Sequence, residues 1–462
     1  MGCNMVRKKG ISTNTLVLAM SLLVIKVLYA LIIDKMLPYD YMLWTYNKDV
    51  DLWKMLVELF PFFLSEYFVL RRYEQGDAYS FFTILLFIVS FIPANSGLSL
   101  SNNEYEYYAL NNIYYIVLFF TMSVLRPKEF EQEEGDFFTQ LADNKRYTTV
   151  IRAFMILVCI ISLVRTYLYN GLNLTFIFSD MYSVRADYAN YYASLTGSST
   201  AYILLLVTNL GAWFLPIYLY YAIVNNKILD IGLSLLSIVA VFTIEMMKTN
   251  LLLIPIVVYF AILKKRDTLN KVTEKTIRAI ILLFIASFIE YGIRGSSWLF
   301  DVVIRRLFYV PMYMVNVHYG YFSMHDKILF TNDAFFIQYI GRLLFGTRYP
   351  YTAVRVISEN CFRGLLPSPN TGMFAEAYAQ LGVAGVLVFP FIVVLVAKLI
   401  RKYSQSYGDG AVLVALSYLV IKMISGYILA SSIFVGIIEF VAFSMAFRYF
   451  QARKAVKEKQ ST

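Results

Sequence analysis

The chain has 462 residues, 59% of them hydrophobic and only 16% charged, with a mean hydropathy of +0.60. That balance excludes an ordinary soluble domain and points to a polytopic membrane protein, in which the formal charge of +10 reads as topology rather than as nucleic-acid binding. Three widely separated cysteines, Cys3, Cys159 and Cys361, build neither a disulfide framework nor a metal cluster.

At the N-terminus, Gly2 lacks the Ser/Thr four residues later that myristoylation requires. No cleavable signal peptide is evident, and the first apolar run is long enough to remain as an anchor. A spanning helix takes about 17 to 25 mostly apolar residues, and about twelve such windows follow one another. They run from Thr15 to Ile33, Trp53 to Leu70, Ala78 to Ala94, Tyr107 to Leu125, Val150 to Leu168, and Tyr202 to Val224. The second six cover Ile228 to Ile244, Met246 to Leu263, Ala279 to Ile293, Leu381 to Ala397, Ala411 to Ile428, and Ser432 to Phe450. The expected fold is an all-α transmembrane bundle forming a single integral membrane domain over 1–462. A large helical extracytoplasmic loop is expected at 292–372 and a smaller one at 169–200.

Charge tests this division independently. Alternate turns are basic: Arg7-Lys8-Lys9, Arg71-Arg72, Arg126 with Lys145-Arg146, Lys227, Lys264-Lys265-Arg266, Arg401-Lys402, and the tail from Arg453 to Lys459. Basic residues collect on the cytoplasmic side, so both termini are expected there, in the cytoplasmic membrane of a bacterium. The turn between the seventh and eighth windows is short enough that two half-depth helices fit as well as two spans.

Two outer segments carry candidate chemistry. The smaller loop contains Phe178-Ser179-Asp180-Met181-Tyr182-Ser183-Val184-Arg185, whose arginine either snorkels to lipid headgroups or binds phosphate. The large loop is rich in arginine (Arg294, Arg305, Arg306, Arg342, Arg348, Arg355, Arg363) against a single lysine, Lys327. Arginine's planar fork binds phosphate bidentately, where lysine is a point charge. The run from Trp298 to Leu307 reads as an amphipathic helix that Pro311 ends or kinks. Neighbours on such a helix diverge by roughly 100°, so one of Arg305 and Arg306 is expected to face substrate and the other lipid or a carboxylate. His318 and His325 also lie in this loop, where His318 is either a base or merely polar.

The most patterned stretch is Pro367-Ser368-Pro369-Asn370-Thr371-Gly372-Met373-Phe374-Ala375-Glu376-Ala377-Tyr378-Ala379-Gln380-Leu381-Gly382-Val383-Ala384-Gly385. Helical spacing puts Glu376 and Gln380 on one face at i,i+4, and Gly382 and Gly385 allow another helix to approach. Glu376, at the outer mouth of the tenth window, is either a general base or a helix-start carboxylate paired with a loop arginine. Inside the windows, Lys26, Glu58, Glu66, Lys422 and Glu439 are candidates for function or for structural pairs. No nucleotide-binding glycine loop, metal-ligand set or serine hydrolase motif occurs, and no cofactor is expected.

The windows, the outer-turn arginine, the large late loop and the Asn370-Thr371-Gly372-x-x-x-Glu376-x-Tyr378-x-x-x-Gly382-x-x-Gly385 run together resemble the Wzy-type O-antigen and capsule repeat-unit polymerases, most closely from Val150 onward. The resemblance implies a membrane glycosyltransferase of the GT-C class that joins undecaprenyl-diphosphate-linked oligosaccharides at the outer face of the membrane. It implies that Arg185 and Arg294, with Arg305 or Arg306, bind the diphosphate; Asn370, Tyr378, Gln380 and His318 are supporting candidates read from the residues themselves. The base assignment of Glu376 comes from the residues themselves. The lipid bilayer is the second expected partner, and a chain-length regulator enters by resemblance alone. A lipid-linked oligosaccharide flippase and an O-antigen ligase are the competing readings.

Overall fold

The computed structural model describes residues 13–37, 51–100, 104–125, 145–170, 199–245, 248–264, 268–332, 337–349, 351–362, 372–405, 409–429, 436–442 and 444–445. These residues are all-helical, and none is in a strand. In chain order the helices are α1 Thr13–Met36, α2 Leu52–Tyr73, α3 Ala78–Leu86, a π-helical segment Phe87–Phe91, α4 Ile92–Asn95, α5 Gly97–Leu100 and α6 Tyr105–Val124. Next come α7 Lys145–Asn170, α8 Ser199–Val224, α9 Ile228–Glu245, α10 Lys248–Lys264 and α11 Leu269–Arg294. A second π-helical segment, Phe300–Tyr309, leads into α12 Val310–Met324, followed by α13 Ile337–Phe345, α14 Ala353–Phe362, α15 Met373–Leu381, α16 Val383–Ser404 and α17 Asp409–Ser425.

Among the described residues, five stretches are long and apolar enough to cross a bilayer: Thr13–Met36, Ala78–Leu100, Thr148–Leu168, Leu269–Arg294 and Val383–Ser404. The 22 residues of α16 extend about 33 Å, against a hydrocarbon core of about 30 Å. Shorter apolar helices occupy Asn209–Val224, Ile228–Thr243, Leu251–Leu263 and Gly410–Ser425. The molecule is therefore read as a membrane protein. Of the last apolar window, Ser432 to Phe450, residues 436–442 and 444–445 are described and the rest lie outside the described residues.

Two compact units divide the chain, one comprising Met1–Arg126 with Thr268–Asn316 and the other Pro127–Asp267 with Val317–Thr462. In the first unit, Asp51 starts α2 by accepting the Trp53 and Lys54 amides at 3.0 and 3.2 Å, satisfying donors that a helix start leaves open. Asp77 does the same for α3 through the Ser80 amide at 2.8 Å. Both π-helical segments end one residue before an X-Pro pair: the Ile92 amide reaches back five residues to the Phe87 carbonyl ahead of Pro93, and the Val310 amide reaches the Arg305 carbonyl ahead of Pro311. Proline has no N–H, and its ring collides with the carbonyl four residues earlier. A wider turn relieves that collision and lets each helix run on. Pro311 thus does not end the helix; it sits in the first turn of α12, which continues the π-helical segment without a break.

The first unit also explains two of the charges within the windows. Lys26 Nζ donates to Glu58 Oε2 at 2.8 Å, to Asn95 Oδ1 at 2.7 Å and to Ser96 Oγ at 3.1 Å. The other Glu58 oxygen accepts the Ser99 amide at 2.7 Å, and Asn95 Nδ2 donates onward to Asn112 Oδ1 at 2.9 Å. Both charged residues are fully buried, and burying charge is tolerated when it is paired and hydrogen-bonded in this way.

In the second unit α7 packs chiefly on α9, α8 lies against α9, α10 and α17, and α16 lies against α15 and α17. Arg152 Nε and Asp230 Oδ1 join α7 to α9 at 2.6 Å. The tenth apolar window, Leu381 to Ala397, lies within α16 from Val383 onward. The break between α15 and α16 falls at Gly382, whose φ of +62° is open to glycine and strained for other residues. The chain then folds so tightly that a Cβ on Gly385 would fall on the Ala377 carbonyl oxygen. The helix that Gly385 admits is therefore the preceding one, α15.

Candidate functional site

The sequence-predicted residues are distributed over both units. Arg185 and Asn370 lie outside the described residues. In the first unit, Gly295 closes α11 with φ +69°, its amide bonding the Tyr291 carbonyl. Glu290 then anchors the following turn: its Oε2 accepts from Ser297 Oγ at 2.9 Å and from the Leu299 amide at 3.1 Å. Ser297 Oγ in turn accepts the Phe300 amide at 3.1 Å, at the start of the second π-helical segment. Glu290 and Ser297 are positioning residues that sequence reading passed over, because a serine seven residues after a glutamate carries no recognised signal.

This frame presents the arginines. Arg294 Nη1 stands 3.4 Å from Glu290 Oε1 with its side chain 70% exposed, whereas Arg305 Nη1 stands 3.5 Å from Asp301 Oδ1 with only 14% exposed. Phe300, Ile304 and Phe308 turn inward, and Phe308 packs 5.2 Å from Phe284 and 6.4 Å from Tyr29. Arg305 and Arg306 are both half-buried, and of the Arg294 and Arg305 ion pairs Arg294 has the more open guanidinium.

In the second unit, α15 is buried along its length from Met373 to Gln380. Glu376 is fully buried, with Oε2 accepting the Ile428 amide at 2.6 Å and Oε1 the Leu429 amide at 2.7 Å. The carboxylate thereby holds the turn that follows α17. His318, also fully buried, meets the same turn, its ring 6.0 Å from that of Tyr427. Tyr378 stacks 6.0 Å from Phe374 and 4.7 Å from Tyr319. Above it lies Lys327 Nζ, 4.5 Å from the ring centre, which also donates to the Phe322 carbonyl. Burial pushes the Lys327 ammonium below its ordinary pKa, and nearby Asp326 opposes that shift.

Gln380, one turn beyond Glu376 on α15, takes a different partner. Its Oε1 accepts the Phe330 amide at 2.7 Å, and the adjacent backbone pairs as well, Ile328 N to Ala379 O at 2.9 Å and Leu329 N to Gln380 O at 3.2 Å. These bonds hold Leu329 and Phe330 at φ of +53° and +59°, a conformation that bulky residues adopt only when their surroundings impose it. Nothing local in the sequence marks this turn, since the residue that secures it lies 50 positions downstream. The structure therefore gathers Glu376, Tyr378, Gln380 and His318 around α15, each against a specific partner. No family model, curated protein or solved structure matches this chain.

Proposed function

We propose that the chain is a membrane glycosyltransferase that polymerises undecaprenyl-diphosphate-linked oligosaccharide repeat units into surface polysaccharide at the outer face of the cytoplasmic membrane, through a bundle of about twelve spans. The observation that carries this reading is that the described positions of the Gly372-to-Gly385 run behave as one built element. Gly372 opens α15 at φ +82°, Glu376 holds the 426–429 turn, Tyr378 seats Lys327, Gly382 breaks the helix and Gly385 admits α15 against α16. A run in which each position has its own physical task supports reading it as a motif rather than as an accident of hydropathy.

In this proposal the guanidiniums serve the leaving group. As the glycosidic bond breaks, negative charge builds on the lipid diphosphate, and arginines fixed in advance stabilise it more in the transition state than before. Arg294 suits this role because an exposed pair at 3.4 Å holds weakly in water, so a diphosphate can replace Glu290 as its partner. Arg185 and one of Arg305 and Arg306 are proposed to share the charge. Glu376, with both oxygens on backbone amides, acts in the described geometry as a positioning residue. Serving as a base would require it to exchange those amides for the acceptor hydroxyl.

Purified protein in lipid, given lipid-linked repeat units, should yield a ladder of longer products. Arg294→Ala is expected to slow extension by about 10²-fold or more, with Arg294→Lys restoring only part. A wild-type protein that moves the lipid-linked oligosaccharide between leaflets and forms no ladder would establish the flippase reading instead.

A further inference from the structure

We propose that α13, Ile337–Phe345, is a membrane-surface helix whose apolar face lies in the lipid of one leaflet. The helix has one face committed to the protein. Gly341 is buried, and a Cβ there would stand 2.8 Å from the Phe330 carbonyl oxygen and 2.9 Å from that of Leu329. Arg342 Nε donates to the Thr331 carbonyl at 2.6 Å, beside the same turn. The rest of the helix points away: Tyr339, Ile340, Leu343, Leu344 and Phe345 are all exposed, Leu343 at 85% and Leu344 at 66%. Nine residues carrying five such side chains are not a surface that water tolerates without a partner.

Three observations select lipid as that partner. The first is height. The Leu329–Phe330 turn beneath α13 is bonded to Gln380 and the Ala379 carbonyl, immediately before α16 begins its bilayer-length run at Val383. Phe330 also stacks parallel to Phe389 in the second turn of α16, with ring centres 6.1 Å apart. A helix fixed at the end of a span sits at the level of the headgroups. The second is charge. Arg342, on the helix, and Arg348, three residues past its end and 3.4 Å from Asp326, are both exposed, and cations flanking an apolar face are the pattern of an interfacial helix. The third is area. A helix about 14 Å long whose five exposed side chains present roughly 600 Å² still falls short of the roughly 800 Å² per partner of a stable protein interface. Insertion into lipid has no such minimum. The inference needs a membrane but not the polymerase reading, and it stands if that reading fails.

The test places a nitroxide on a single cysteine at Leu343 in the full chain, with Cys3, Cys159 and Cys361 replaced by serine, in phosphatidylglycerol-containing nanodiscs. Relaxation by oxygen, which concentrates in lipid, should exceed relaxation by a water-soluble nickel chelate at Leu343, with the order reversed at Thr347 just past the helix. Greater access for the chelate at Leu343 would overturn the proposal. So would protection from both reagents, which would mean that protein covers the face, or dipolar broadening between labels, which would mean that a second copy does. If the Leu343 variant does not fold, a label at Leu344 reads the same face and decides by the same outcomes.

Discussion

At the scale of single residues, two of the polar groups named in advance, Glu376 and Gln380, turn out to hold backbone. Glu376 is the clearest case, because its two oxygens meet two N–H donors, Ile428 and Leu429. Glutamine has the same shape but carries an oxygen on one side only, so Glu376→Gln turns an NH₂ group toward a backbone N–H. The variant should therefore lose about 1–3 kcal/mol of stability, seen as a lower melting temperature in detergent. An unchanged melting temperature would dissolve the clamp and return Glu376 to the role of base. The buried Lys26–Glu58 pair yields a second prediction. Lys26→Met strands a carboxylate away from water and should cost about 3–5 kcal/mol, whereas Lys26→Met with Glu58→Leu should be milder. Thermal unfolding of the single and double variants checks it, and a double variant as damaged as the single one would refute it. Sequence named both residues, since charges in apolar windows stand out, but it left them scattered. Their pairing spans 32 positions, and nothing in hydropathy encodes it.

At the scale of elements, helix existence was legible because apolar windows of bilayer length leave few other folds that satisfy the backbone. The irregularities were not. The two π-helical segments arise where a proline must be accommodated in a helix that packing keeps continuous, and sequence alone suggests only an end or a kink. Gly382 and Gly385 were legible as small residues, while the reason for each, a positive φ and contact with α15, needed the fold. The glycines also give a paired prediction. Gly385→Ala drives a methyl group onto the Ala377 carbonyl oxygen, an atom of backbone that cannot swing aside, and should cost about 1–3 kcal/mol. Gly232 lies inside α9 with nothing within 4 Å of its Cβ position, so Gly232→Ala should stabilise by about 0.5–1 kcal/mol. A melting temperature that holds or rises for Gly385→Ala would contradict the packing of α15 against α16, and one that falls for Gly232→Ala would contradict the open space at that position.

At the scale of the whole molecule, the five bilayer-length apolar helices among the described residues make the membrane reading, and the alternation of basic turns supplies the proposed orientation. Residues 361 and 402 test the two together, because α16, Val383–Ser404, is the long apolar helix that separates them. Cys361 is half-buried in α14, and burial pushes its thiol above the ordinary pKa. Since the thiolate is the reactive form, labelling should accelerate as pH rises. In a Cys3→Ser, Cys159→Ser variant of intact cells, a membrane-impermeant thiol reagent at mildly alkaline pH should reach Cys361 from outside. With Cys361 also replaced and Lys402→Cys introduced, the same reagent should label only after the cells are permeabilised. The opposite pattern would invert the orientation and put the arginine loop in the cytosol, where the proposed outer-face substrate is not found. Labelling of both sites from one side would remove α16 as a crossing, because a single span must separate its two ends whatever the direction of the rest.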